Sequence, residues 1–103
     1  MFGKMGDMLG KLQEIKQKIQ EVKDRLETTY IDVNGASGDI KLSINGNKKI
    51  KKLQISPALQ SASKEELEEQ LLLTFNKAVE EADKLSATEM KNVAGGLIPP
   101  GIL

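Results

Sequence analysis

KMGDMLGKLQEIKQKIQEVKDRL, residues 4–26, decides the fold, because its apolar and charged positions obey one heptad together. Met5, Met8, Leu12, Ile15, Ile19, Val22 and Leu26 alternate spacings of three and four and form a single seam along a helix. With Leu12 at position a, every base falls at e or g: Lys4, Lys11, Lys16, Lys18, Lys23 and Arg25. Every acid falls at b, c or f: Asp7, Glu14, Glu21, Asp24 and Glu27. Pairing with a copy of itself along this seam would bring like charges together in either orientation. The seam is therefore expected to dock on another element, leaving two positive rails that suit an acidic partner.

The spacing predicts a helix from about Lys4 or Asp7 to Leu26. Asp7–Lys11, Glu14–Lys18 and Glu21–Arg25 repeat the favourable acid-then-base spacing of four. Gly3, Gly6 and Gly10 weaken the first turns, where fraying is expected.

Beyond Leu26 the period changes from 3.5 to 2. Thr29, Ile31 and Val33 alternate with Thr28, Tyr30 and Asp32, a strand with one buried face. Residues Asn34 to Gly38 carry turn chemistry, with glycines available for positive φ. Ile40, Leu42 and Ile44 form the next apolar face, opposite Lys41 and Ser43, and Asn45-Gly46-Asn47 signals a hairpin. A third strand near Lys48–Ile55 has a parity slip, since Ile50 and Leu53 cannot share a face in a regular strand. Either a bulge at Lys51-Lys52 restores the parity, or the strand starts later. The result is a three-stranded antiparallel meander.

Ser56-Pro57 ends the sheet, and Ser63 with Glu66 makes a capping box opening a second long helix. Leu67, Leu71, Phe75, Ala78, Ala82 and Leu85 give its stripe, widened by Leu72, Leu73 and Val79. Ser86 with Glu89 reads as a second cap after a kink or as mid-helix residues. Gly95-Gly96 is expected to stop the helix, leaving residues 95–103 as an apolar Gly/Pro-rich tail, either mobile or packed into a partner groove through Leu97, Ile98, Ile102 and Leu103. The fold class is α+β, in the order α-β-β-β-α, over one domain spanning 1–103.

Twenty helical residues span about 30 Å and six-residue strands about 20 Å. The helices thus overhang the sheet, and a homodimer is expected to bury their seams through Leu12, Ile15, Ile19, Leu71, Leu72 and Phe75.

The chain of 103 residues has 15 basic and 15 acidic residues, but they are unevenly placed. Between residues 28 and 55, Lys41, Lys48, Lys49, Lys51 and Lys52 face only Asp32 and Asp39, whereas residues 56–103 hold four lysines against eight acids. A polyanion would meet the basic middle of this charge dipole. Without Cys or His, disulfides, thiolate chemistry, imidazole catalysis and the usual zinc sites are excluded. No membrane-spanning run or signal-peptide apolar region is read, so a soluble cytoplasmic protein is expected.

Nothing in the sequence has the pattern of a catalytic site, a Walker loop or a dinucleotide fingerprint. Lys48-Lys49-Ile50-Lys51-Lys52, with Lys41 on the neighbouring strand, reads as a phosphate grip or as protection of a sheet edge. Lys18, Lys23 and Arg25 on the first helix extend the grip, or else cover the seam and pair with the acidic second helix. Interleaved aromatics and a helix-turn-helix are both missing, so double-stranded DNA held by its backbone fits better than stacked single strands. No cofactor, metal, membrane or small-molecule substrate is expected.

The order of several segments resembles the YbaB/EbfC family of bacterial nucleoid-associated proteins: Met1-Phe2-Gly3-Lys4, then Ile44-Asn45-Gly46, then Lys51-Lys52-Leu53-Gln54-Ile55-Ser56-Pro57, and finally Gly95-Gly96 with Leu97-Ile98-Pro99-Pro100-Gly101. Members commonly carry Asp where this chain has Ser56. The resemblance implies a homodimer of α-β-β-β-α protomers that binds double-stranded DNA with low or variable specificity. It also implies a role in nucleoid organisation or expression, with Lys51 and Lys52 at positions that tend to be basic. A rival reading, from two long helices around a meander, is a holdase like the prefoldins or an adaptor that binds protein through apolar seams.

Overall fold

The computed structural model describes the backbone of residues 2–97 and the side chains of residues 7–93. Helix α1 (Phe2–Thr28) leads into strands β1 (Tyr30–Gly35), β2 (Ile40–Asn45) and β3 (Ile50–Ile55). A short helix α2 (Pro57–Gln60) and a 34-residue helix α3 (Lys64–Leu97) follow. The strands form one antiparallel meander in the order β1-β2-β3. This is the α+β architecture expected from the change of period at Leu26.

The alternating apolar residues pair across the sheet and so share one face. Ile31 lies opposite Ile44 and Val33 opposite Leu42; on the other side Ile40, Leu42 and Ile44 face Ile55, Leu53 and Ile50. Helix α3 lies on that face over β1 and β2, where Ala78 and Ala82 meet Val33, Leu42 and Ile44, with Ile31 and Phe75 alongside. Alanines at the contact let helix and sheet approach closely. The approach is closer still at Gly35, where a Cβ would overlap the buried Thr74 side chain.

Helix α1 takes in Gly3, Gly6 and Gly10 and begins at Phe2, earlier than expected. Extending a formed helix over a glycine costs only about 1 kcal/mol relative to alanine. Its far end is closed without a glycine cap. The Thr28 and Thr29 hydroxyls donate to the carbonyl of Arg25, the Gly46 amide donates to Leu26 and the Asn45 side-chain amide donates to Glu27. Among the described residues the seam is covered progressively toward this end. Val22 and Leu26 are buried, Ile15 and Ile19 half-buried, and Met8 and Leu12 exposed. None of the three expected acid-then-base pairs forms among the described residues of α1: Lys18 reaches Glu21, and Arg25 reaches across to Glu89 of α3.

Ser63 caps α3, its hydroxyl accepting from the Glu66 amide at 3.1 Å, and Ser86 and Glu89 are mid-helix. One reading is corrected and another extended. The helix runs through Gly95-Gly96 to Leu97, because two weak helix formers do not end a helix of more than thirty residues already propagated. Ser56-Pro57 does more than end the sheet: Ser56 caps α2, with Pro57 at its first turn, and its hydroxyl donates to Asp39 at 2.8 Å. The tail from Ile98 onward lies outside the described residues, as do the side chains of Lys4 and Met5. The molecule measures 71 × 24 × 16 Å.

Candidate nucleic-acid interface

The β2–β3 turn is organised by Asn45. Its side-chain oxygen accepts from the amides of Asn47 and Lys49, both at 2.9 Å, while its carbonyl accepts from Lys48. The turn closes with Lys48 at φ 66°, a left-handed conformation that normally favours Gly or Asn. Gly46 passes so close to Leu26 that a Cβ there would overlap the leucine side chain.

Glu27 fixes this turn to α1. One carboxylate oxygen accepts from the Asn47 side chain at 2.6 Å and the other from Lys49 Nζ at 2.9 Å. These two hydrogen bonds, Asn47 first, hold the Glu27 carboxyl below its ordinary pKa. Lys48 in turn reaches Asp83 of α3 at 2.7 Å. Half of the lysine cluster is thus neutralised by acids from two helices.

The other half is arranged differently. The register slips between Ser43 and Ile44, so that Lys52 lies opposite Ser43, Ile50 opposite Ile44, and Lys51 is the extra residue of a bulge. The bulge restores Ile50, Leu53 and Ile55 to one face. It also leaves consecutive lysines directed toward the other. Lys51 Nζ stands 4.7 Å from the centroid of the Tyr30 ring, and Lys52 shares a shallow trough with Asp32, Asn34, Lys41, Ser43 and Gln54. Lys41, Lys51 and Lys52 are exposed and form no ion pair among the described residues. The acid in the trough, Asp32, accepts the Ser43 hydroxyl at 2.6 Å.

Three cations thus stand on the sheet face that no helix covers, at the spacing of neighbouring strands. Compact flexible ammonium groups are able to take a phosphate as point charges. Lys23 is exposed without an ion pair among the described residues, whereas Lys18 and Arg25 are paired with Glu21 and Glu89. The sequence reading missed Tyr30 and Asp32 as neighbours of the lysines. Their alternation with Ile31 and Val33 already placed them on the polar face.

The residues expected at a subunit interface divide. Phe75 packs beside the core of its own chain, Leu71, Ile15 and Ile19 are half-buried, and Leu12 and Leu72 are 50% and 62% exposed. No helix among the described residues is long and apolar enough to cross a membrane.

Comparison with known proteins agrees with this architecture. The chain is 33% identical to a nucleoid-associated protein of Chlorobium phaeovibrioides over 96 residues, 93% of this chain and 87% of the relative. It is 40% identical over 69 residues to a nucleoid-associated protein of Flavobacterium johnsoniae, 67% of this chain and 64% of that one. An uncharacterized protein from Helicobacter pylori shares the fold, with a TM-score of 0.66 at 21% identity over 84% of this chain and 98% of that one. The YbaB/EbfC DNA-binding family matches residues 1–97. Helix, bulged meander and long closing helix therefore belong to a member of the YbaB/EbfC DNA-binding family.

Proposed function

We propose that this protein is a non-catalytic, double-stranded DNA-binding component of the nucleoid, located in the cytoplasm and acting as a homodimer. It holds the DNA backbone with low or variable sequence specificity, through Lys41, Lys51 and Lys52 of each subunit. The bulge at Lys51 carries this reading, because it supports two adjacent exposed cations beside Lys41 that form no ion pair among the described residues. Membership of a DNA-binding family and relatives named nucleoid-associated proteins support the same ligand. Lys48, Lys49, Lys18 and Arg25 contribute only by exchanging an acid of the protein for a phosphate, and Lys23 extends the grip along α1.

Fluorescence anisotropy of a labelled duplex of about 30 base pairs and arbitrary sequence tests the proposal. Binding that weakens steeply between about 50 and 200 mM salt is expected, since each neutralised phosphate contributes about 0.9 to the logarithmic slope. Six lysines of a dimer engaged together would give a slope near −5. Absence of binding at low salt would turn attention to a protein-binding role, for which Met8, Leu9 and Leu12, exposed together on α1, provide the apolar surface.

A further inference from the structure

Helix α1 outruns its neighbour α3. It meets the β2–β3 turn through Glu27 and Lys49, and α3 meets the same turn through Asp83 and Lys48. Further along α3, Glu89 pairs with Arg25 at 2.6 Å, so the two helices run antiparallel, in contact, away from the sheet. From Glu89, α3 continues to Leu97, about 12 Å, which brings its last residue level with Gln17. Helix α1 extends past that level to Phe2, about 22 Å further. Exposure follows this offset. Val22 and Leu26 are buried and Ile15 and Ile19 half-buried. Leu12 and Met8, next on the same seam, are 50% and 67% exposed, with Leu9 beside them at 60%. The α1–α3 contact thus gives out along one line and leaves an apolar strip where α3 no longer covers α1.

We infer that the segment following α3, residues 98–103, is seated on this strip of its own chain. Reach and direction both fit. The segment starts where α3 already lies on the seam, and it inherits the course of α3 along α1. Pro99 and Pro100 lack the N–H that a further helical turn needs and favour an extended course of about 3.1 Å per residue. The six residues then span about 19 Å, enough to carry Ile102 to the level of Met8. Chemistry fits as well, since Leu97-Ile98-Pro99-Pro100-Gly101-Ile102-Leu103 has no charged side chain to bury against Met8, Leu9 and Leu12. Two rival occupants fit less well. A second copy docked seam to seam would bring the basic e and g positions Lys11, Lys16 and Lys18 against like charges. An outside chain arrives from dilute solution, whereas a tethered segment is present at an effective concentration on the order of millimolar. A tail so placed competes with any foreign chain for the apolar strip of α1.

The chain has no cysteine, so a pair of introduced cysteines reports the placement directly. A disulfide forms only where two Cα atoms come within about 7 Å. The full chain with Met8→Cys and Ile102→Cys is expected to close an intrachain disulfide on mild oxidation, roughly tenfold faster than with Gly10→Cys and Ile102→Cys. Gly10 stands at a similar level on the opposite face of α1, in open space that admits the new side chain. Non-reducing electrophoresis separates a closed chain of 11.3 kDa from a cross-linked pair. Equal rates in the two variants would overturn the proposal. So would a disulfide between chains in the first variant, which would seat the tail on another copy. A second measurement needs no cysteine. Ile102→Glu with Leu103→Glu is expected to raise the fluorescence of a hydrophobic dye by uncovering the strip, and Leu12→Glu added to that variant should take the rise away. Dye fluorescence unmoved by the charged tail would overturn the proposal as well.

Discussion

The amide of Gly46 donates to the carbonyl oxygen of Leu26 at 3.0 Å, which joins the β2–β3 turn to the last turn of α1. Nothing larger than hydrogen fits at Gly46, since a Cβ would strike the buried leucine. The turn that carries Lys48 and Lys49 is therefore placed by backbone contact, and only secondarily by its ion pairs.

Gly46→Ala is predicted to cost about 1–3 kcal/mol through overpacking against Leu26, lowering Tm by roughly 5–15 °C. Gly10→Ala gives the contrast. Open space surrounds Gly10 in an exposed part of α1, so alanine there should stabilise by up to about 1 kcal/mol. Thermal unfolding of the two variants beside the wild type checks both signs.

Acid should loosen the turn before the core. The folded protein holds the Glu27 carboxyl below its unfolded pKa of 4.5, through Asn47 and then Lys49. A depressed carboxylate contributes stability that is fully present above the unfolded value and is lost as pH falls through the folded one. Tm should therefore decline below about pH 5, and Glu27→Gln should remove part of that decline. Equal slopes in the two proteins would mean that the Glu27 contacts add nothing to folding.

On DNA, Lys51→Glu with Lys52→Glu should abolish most affinity at about 100 mM salt while leaving the fold intact, because both side chains are exposed. Asp32→Asn should act oppositely, raising affinity a few-fold by removing the carboxylate from the trough beside Lys41 and Lys52. Anisotropy titrations of both variants at one ionic strength decide the matter. Unchanged binding in the double variant would shift the site to α1.

Lys48 occupies a conformation suited to glycine. Lys48→Gly should leave stability within about 1 kcal/mol of wild type, relief at positive φ offsetting chain entropy and the lost Asp83 pair. Lys48→Val should lose about 1–3 kcal/mol, because a branched side chain is poorly tolerated at positive φ. Denaturant unfolding distinguishes the two.

Much of the fold was legible because burial follows period. Ile31 and Val33, and then Ile40, Leu42 and Ile44, announced their face by alternation, and the slip between Ile50 and Leu53 narrowed the third strand to a bulge or a later start. The partners of the lysines were not legible. Lys48 meets Asp83 and Lys49 meets Glu27 only after the helices have folded over the turn, and no local spacing encodes either pair. The exposure of Leu53 was hidden for a similar reason: alternation places it on the core side, yet it stays 43% exposed. The helix through Gly95-Gly96 shows the reverse limit, a strong local signal that an established helix overrides.

The 71 Å length has a hydrodynamic consequence. A radius of gyration of 19.8 Å is about half again the roughly 13 Å of a compact domain of 100 residues. A rod of this kind experiences more friction than a sphere of equal mass. On a sizing column calibrated with globular standards a single chain would elute early and imitate a pair, while in a centrifuge it would sediment slowly and look too light.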